Sequence, residues 1–242
     1  MEISSVSSFL ALIEETKKAE VVTGNDSDFL FRGQSTNESL LPRIARLKPK
    51  GKHPNIELLI ISEFERLSLP FTEFDPKDQW DLLAVAQHHG LPTRLLDWSY
   101  SALAALWFCV KKPPKKDENK KELDGVVWVF KTSVKDFINF PTKETPFTKG
   151  ITRIFRPRAV SQRILAQTGV FTCHKRTNEG HFVPFQRHPL YKDRLVKIEI
   201  PASSFSDIRD QLNACGVNNV SLFPDLDGLT NHLVYRYFQL EK

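Results

Sequence analysis

The chain has 242 residues, 40% of them hydrophobic, which suits one large domain or two small ones with a core that needs neither disulfides nor metal. Charged residues are 26% and there are only 10 glycines and 15 prolines, excluding a disordered, collagen-like or low-complexity chain. The 34 basic against 29 acidic side chains leave +5, too small an excess to mark a nucleic-acid binder by itself.

Apolar residues at Ile3, Val6, Phe9, Leu10 and Ile13 repeat at helical spacing, with Ser4 or Ser5 at the start. Asn25-Asp26 breaks the chain before a short strand over residues 29–32, which places Phe29 and Phe31 on one face, Leu30 and Arg32 on the other. A helix follows over residues 55–69. The next is announced by Asp75-Pro76-Lys77-Asp78, read as an N-cap, a proline at the first helical position and an acid in the first turn, and it is stopped by Gly90 and Pro92. Two of its faces are apolar, so Gln87 and the histidines beside it are expected inside. Residues 91–98 read as a link, and a second buried helix as residues 99–110.

The tract KKPPKKDENKK, with six lysines against two acids, is expected to be a solvated surface loop, part of a stretch over residues 111–124. GVVWVF, residues 125–130, is the strongest strand signal. From Lys143 to Arg176 eight basic residues face one acid, a local +7. Within that segment residues 161–167 look like a short helix ended by Gly169, and residues 170–174 like a strand. A strand over 195–200, a helix over 204–214 closed by Gly216, and a final amphipathic helix through Leu226, Leu229, Leu233 and Tyr237 complete the chain. No repeat or flexible linker divides it, and the expected fold is a single α+β domain with a small mixed or antiparallel sheet flanked by helices.

Cys109, Cys173 and Cys215 are odd in number and in no CxxC pair, as expected of buried thiols in a reducing compartment, and a cytoplasmic location follows. The first residues have no basic region ahead of an apolar run, so no secretory leader is expected. The longest apolar stretch, nine residues over 102–110, is about half a bilayer span, so no membrane partner is expected. Cys173, His174, His181 and His188 fit none of the usual zinc spacings, and no metal is expected. No Walker, dinucleotide-glycine or GxSxG motif occurs.

Four blocks carry polar chemistry. Phe31-Arg32-Gly33-Gln34 puts an arginine on a short apolar strand, costly unless its guanidinium meets an anion or acceptors, and Gly33 allows a ligand or a neighbouring backbone close. An ion pair of Arg32 with Asp97 is the alternative reading. QHHGLPTRLLDW, residues 87–98, gathers Gln87, His88, His89, Thr93, Arg94 and Asp97 at a core junction. There Thr93 and Arg94 offer a hydroxyl and a forked cation to a phosphate or ribose, and Asp97 is otherwise the N-cap of the next helix. Arg163 and Gln167 stand at i and i+4 on one helix face. SLFPDLDG, residues 221–228, places Asp225 and Asp227 at a helix start, where acids serve the dipole.

Together these blocks resemble the FRG domain family, named for Phe31-Arg32-Gly33, over residues 28–230. A more distant similarity is to the ADP-ribosyltransferase fold, with Arg32-Gly33 on a first strand and Thr93 ahead of the helix carrying Ala104 to Phe108. The resemblance implies NAD as substrate. Arg32, Gly33, Gln87, His88, Thr93 and Arg94 would bind it, and Arg32, Thr93, Asp97 and Gln167 would form the catalytic set. It implies a toxin or antiviral defence effector that modifies a protein or nucleic-acid acceptor, with an antitoxin as a further expected partner and the +7 segment drawing in a nucleic-acid or phosphate-bearing target. Gln167 stands near the position of that fold's catalytic glutamate, and a neutral amide orients but cannot act as a base. The competing expectation is therefore a non-catalytic module that binds a nucleotide or nucleic acid through an Arg32–Arg94 centre.

Overall fold

The computed structural model describes residues 3–20, 28–53, 55–71, 76–140, 142–148, 150–158, 165–177 and 180–238. The fold is α+β, built on one open six-stranded sheet. In chain order it runs α1 (Val6–Glu20), β1 (Phe29–Gln34), the short α2 (Arg43–Arg46), α3 (Ile56–Ser68), α4 (Gln79–His88), β2 (Leu95–Ser99) and α5 (Ala102–Val110). There follow β3 (Gly125–Lys131), β4 (Arg153–Phe155), β5 (Gly169–Cys173), β6 (Leu195–Ile200), α6 (Phe205–Ala214), α7 (Asn219–Leu222) and α8 (Leu226–Tyr237). Strand order is β4-β5-β2-β1-β3-β6, antiparallel throughout.

Alternation sorts the two faces. Phe31, Val127, Val129, Ile198 and Ile200 pack against Val6, Phe9 and Ile13 of α1, the apolar face of α5, and Phe205, Ile208 and Leu212 of α6. Farther along the same face, α3 and α4 cover Leu95, Phe171 and Cys173. The opposite face, with Leu30, Leu96, Trp98, Trp128 and Phe130, is closed by loop residues Leu40, Phe137, Phe185 and Tyr191. Phe130 sits at its centre, with ring centroids of Trp98, Phe185 and Tyr191 at 5.6, 5.0 and 5.6 Å. Gly33 is where β1 meets α5: a Cβ there would stand 1.8 Å from the Ala105 carbonyl oxygen, so of the two expected close approaches the neighbouring backbone's is present.

Several elements differ from the sequence reading. Helix α4 starts at Gln79 and its cap is Asp78, whose carboxylate accepts from the Trp80 and Asp81 N–H groups; Asp75 and the Asn25-Asp26 break lie outside the described residues. Gly90, at φ +85°, does end that helix. Residues Trp80 to Ala86 are all buried, but Gln87 and His88 are half-buried and His89 is exposed, because the helix end emerges beside a cleft. The expected link contains strand β2, so Asp97 lies in mid-strand and caps nothing; Ser101 caps α5 by accepting from Ala104 N–H. Asp225 does cap α8, accepting from Gly228 N–H at 2.7 Å. Most of the expected helix over 161–167, Arg163 included, lies outside the described residues. Among the described residues, no helix is long and apolar enough to cross a membrane and no group of three or more His, Cys, Asp or Glu is placed to hold a metal ion.

Candidate functional site

Strands β1 and β2 share a single register pair, Phe31 with Ser99. Beyond it Gly33 and Asp97 do not pair, and the strands part. A cleft of about 780 Å³ opens there, between the end of α4, the start of α8 and the loop after β1.

Arg32 spans the parting strands. Its Nη1 donates to the Asp97 main-chain carbonyl at 2.7 Å and stands 3.7 Å from the Asp97 carboxylate. Its Nε is buried and has no hydrogen-bond partner among the described residues. Burial pulls the guanidinium below the ordinary arginine pKa, and Asp97 opposes that pull. Leaving a buried donor unmade costs about 1–3 kcal/mol, which an acceptor entering the cleft would return.

Asp97 is held from the other side. The Gln87 Nε2 donates to both carboxylate oxygens, at 3.2 and 3.1 Å. The Gln87 carbonyl is turned away by Thr93, whose hydroxyl donates to Oε1 at 2.7 Å and accepts from Leu95 N–H at 3.0 Å. Thr93 is fully buried and does not line the cleft, so its part is to orient Gln87 rather than to touch a ligand. The Asp97 side chain itself is 58% exposed.

Arg94 does not reach the cleft. Successive residues of an extended segment point to opposite sides, and Thr93 takes the side of Gln87. The Arg94 Nε and Nη2 grip both carboxylate oxygens of Glu57 on α3 at 2.7–3.1 Å, and Nη1 donates to the Pro146 carbonyl at 2.9 Å. This is a core ion pair, so the expected Arg32–Arg94 centre is not formed. Gln167 lines the cleft, but its Nε2 donates to the Leu222 carbonyl at 2.9 Å, tying the chain ahead of β5 to α7. His88 also lines the cleft, in ring contact with His89 at 4.9 Å.

Some of the wall went unread in the sequence. Ser99 is buried and donates to the Gln167 carbonyl at 2.7 Å while accepting from Ser101 N–H, which joins β2, α5 and the approach to β5. The rim carries Arg43, Arg46, Lys111 and Lys115 with Glu38. Glu38 sits 3.4 Å from Arg46 and 3.6 Å from Lys115, and its carboxyl is held below the usual range, first by the Thr36 hydroxyl and then, against burial, by these cations. Asp225 and Asp227 reach the cleft as well as starting α8. The +7 segment is otherwise employed: Arg153 donates to the Lys135 carbonyl, Arg156 and Arg158 pair with Asp28 and Asp81, Lys175 donates to the Pro146 carbonyl, and Arg176 lies on Phe182. Of these five, Arg156 and Arg158 meet a carboxylate, and the other three are held by carbonyls or a ring that leave their charge in place.

His174 lies behind Arg32, buried on the loop-covered face. The Thr172 hydroxyl accepts from the Trp98 indole N–H at 3.1 Å and shares a hydrogen bond with the His174 Nε2 at 3.0 Å. Burial, aided by His188 and Arg32, pushes its pKa down to about 3. A histidine neutral in the fold but protonated when unfolded contributes its full stability above about pH 6.5 and loses it as pH falls. Between about pH 6.5 and about 3 it should add roughly 1.4 kcal/mol of destabilisation per pH unit, and His174→Gln should flatten urea-measured stability over that window. Equal slopes in the two proteins would exclude this. Burial also lifts the thiols of Cys109 and Cys173, to about 12 and about 11, which leaves them inert at neutral pH.

Residues 27–118 match the family model of the FRG domain, which takes in β1 through α5 and therefore Arg32, Gln87, Thr93, Asp97 and Ser99. No curated protein and no solved structure matches the chain.

Proposed function

We propose that the cleft, most of whose wall comes from the stretch that matches the FRG domain, binds NAD and cleaves its nicotinamide–ribose bond, as an ADP-ribosyltransferase or NAD glycohydrolase. The carrying observation is Arg32 at the cleft wall, with a buried, unpartnered Nε beside the exposed carboxylate of Asp97. A guanidinium so placed holds a phosphate or ribose oxygen, and the rim cations Arg43 and Arg46 extend the field along a pyrophosphate. Asp97 supplies the negative charge. As the C1′–N bond breaks, nicotinamide leaves with the bonding pair and positive charge builds on the ribose, where a fixed carboxylate stabilises it most. Gln87 fixes that carboxylate and Thr93 fixes Gln87, so the set is oriented before substrate arrives. Water or an acceptor then attacks C1′ and gives its proton to the Asp97 carboxylate. Gln167 is an amide already committed to Leu222, so the acid of this chemistry is Asp97. The resemblance to ADP-ribosyltransferases supports the same reading, as does a cleft large enough for a dinucleotide.

Such an activity drains or redirects a cell's NAD, in keeping with a toxin or antiviral effector. The test is nicotinamide release from NAD by the purified chain, with and without protein and nucleic-acid acceptors. Turnover is expected, and Asp97→Asn should lower it by about 100-fold or more while NAD still binds. NAD bound but never cleaved, in wild type and Asp97→Asn alike, would leave a nucleotide-binding module instead.

A further inference from the structure

Beside the cleft lies a second cavity of about 550 Å³, walled by the end of α5, by α6 and by the α7–α8 corner. The two share Lys111, Asp225 and Asp227, so one opens beside the other. We propose that this second chamber holds a nucleobase with its phosphate, presented to the first as the acceptor of the ADP-ribosyl group. The acceptor role rests on the NAD reading above; the binding does not.

Three observations carry it. Arg209 and Asn213 stand at i and i+4 on α6, both on the chamber wall, and each carries a buried polar atom without a partner among the described residues: Arg209 Nε and Asn213 Oδ1. Arg209 is otherwise anchored, its Nη1 donating to the Val110 carbonyl at 2.9 Å. Unmet donors and acceptors in a cavity wall ask for a ligand with both, and a carboxamide presents the paired edge that base edges match.

The wall is also aromatic. Phe223, half-buried, lines it and is backed by the buried Trp107 with ring centroids 5.8 Å apart, and a ring held in this way stacks a base whatever its identity. Lastly, the charge is wrong for a cationic peptide side chain. Lys111, Lys112 and Arg209 outnumber Asp225 and Asp227, and the Asp225 carboxylate already accepts from Gly228 N–H. Lys111, at the junction of the two cavities and 5.0–5.7 Å from the centroids of Trp107, Phe108 and Phe223, is placed for a phosphate. In the transfer, the C1′–N bond to nicotinamide breaks and nicotinamide leaves with its electron pair. A base nitrogen forms the new C1′–N bond and gives its proton to Asp97; nothing is oxidised or reduced.

The test is calorimetric titration of the full chain with AMP, GMP, CMP and UMP, with a short single-stranded oligonucleotide, and with an arginine-rich peptide. Expected is saturable binding of at least one nucleotide that survives Arg32→Ala and weakens about tenfold in Asn213→Leu, with NAD affinity in the latter changed less than about twofold. Asn213→Asp, which keeps the shape and repels phosphate, provides the same comparison should the leucine variant fold poorly. Tighter binding of the strand than of any mononucleotide names nucleic acid as the source, and the reverse names a free nucleotide. Nucleotide binding without NAD cleavage would remove the NAD reading and leave the chamber assigned. The proposal is overturned by no nucleotide or strand binding at millimolar concentration, by affinity that follows Arg32 rather than Asn213, or by binding of the peptide alone.

Discussion

Arg32→Ala is expected to abolish nicotinamide release, lowering kcat/KM by about 1000-fold, and to relieve any growth arrest that the wild-type chain causes on expression. The size of the loss follows from where the guanidinium sits. Its Nη1 is spent on the Asp97 carbonyl across the parting strands, while the unmet Nε and the positive charge remain for an anionic ligand. Removing the side chain takes away both the anchor and the cation that faces the Asp97 carboxylate at 3.7 Å. Part of any loss could come from the strand junction, since the bond to Asp97 also braces the fold. Arg32→Lys separates the two: it keeps the charge and loses the planar fork, so it should melt close to wild type yet remain at least about tenfold slower. Wild-type turnover in Arg32→Ala would dispose of the NAD reading.

How much of this was legible beforehand depended on how local the signal was. Helical spacing in α1, the GVVWVF strand and the Gly90 stop depend on neighbours in sequence, and the chain folds there as read. Strand β2 was hidden because a five-residue strand buried on both faces carries Asp97 in its middle, which interrupts the continuous apolar run that marks such a strand. The same locality governs the site. Arg32 was singled out because a charge on an apolar strand is expensive anywhere, Asp97 as one of a dense set of polar groups at a core junction, and the two do meet. Thr93 and Arg94 carried an equal signal but serve the interior, and their partners, Gln87 and Glu57, decide that. The rim of Arg43, Arg46, Lys115 and Asp225 is drawn from separate parts of the chain, each ordinary alone.

Glu57 is the residue whose loss should cost the fold most. It is 2% exposed, and its two oxygens accept from the Arg94 backbone N–H, Nε and Nη2. A carboxylate that answers three donors in the core cannot be removed without leaving the guanidinium charged and unpaired beneath Phe147, 4.8 Å from its ring. Glu57→Ala is therefore expected to lower unfolding free energy by about 3–5 kcal/mol, enough to unfold a marginal domain at 37 °C. The opposite expectation holds for the pair replaced together. Glu57→Leu with Arg94→Met removes both charges and keeps the volume, so it should recover most of that loss and give a strongly coupled double-mutant cycle in urea. The double variant also tests the site, because Arg94 faces the core and not the cleft: once refolded it should release nicotinamide at the wild-type rate. A stable double variant without activity would return Arg94 to the ligand, and the cleft drawn around Arg32, Gln87 and Asp97 would be incomplete.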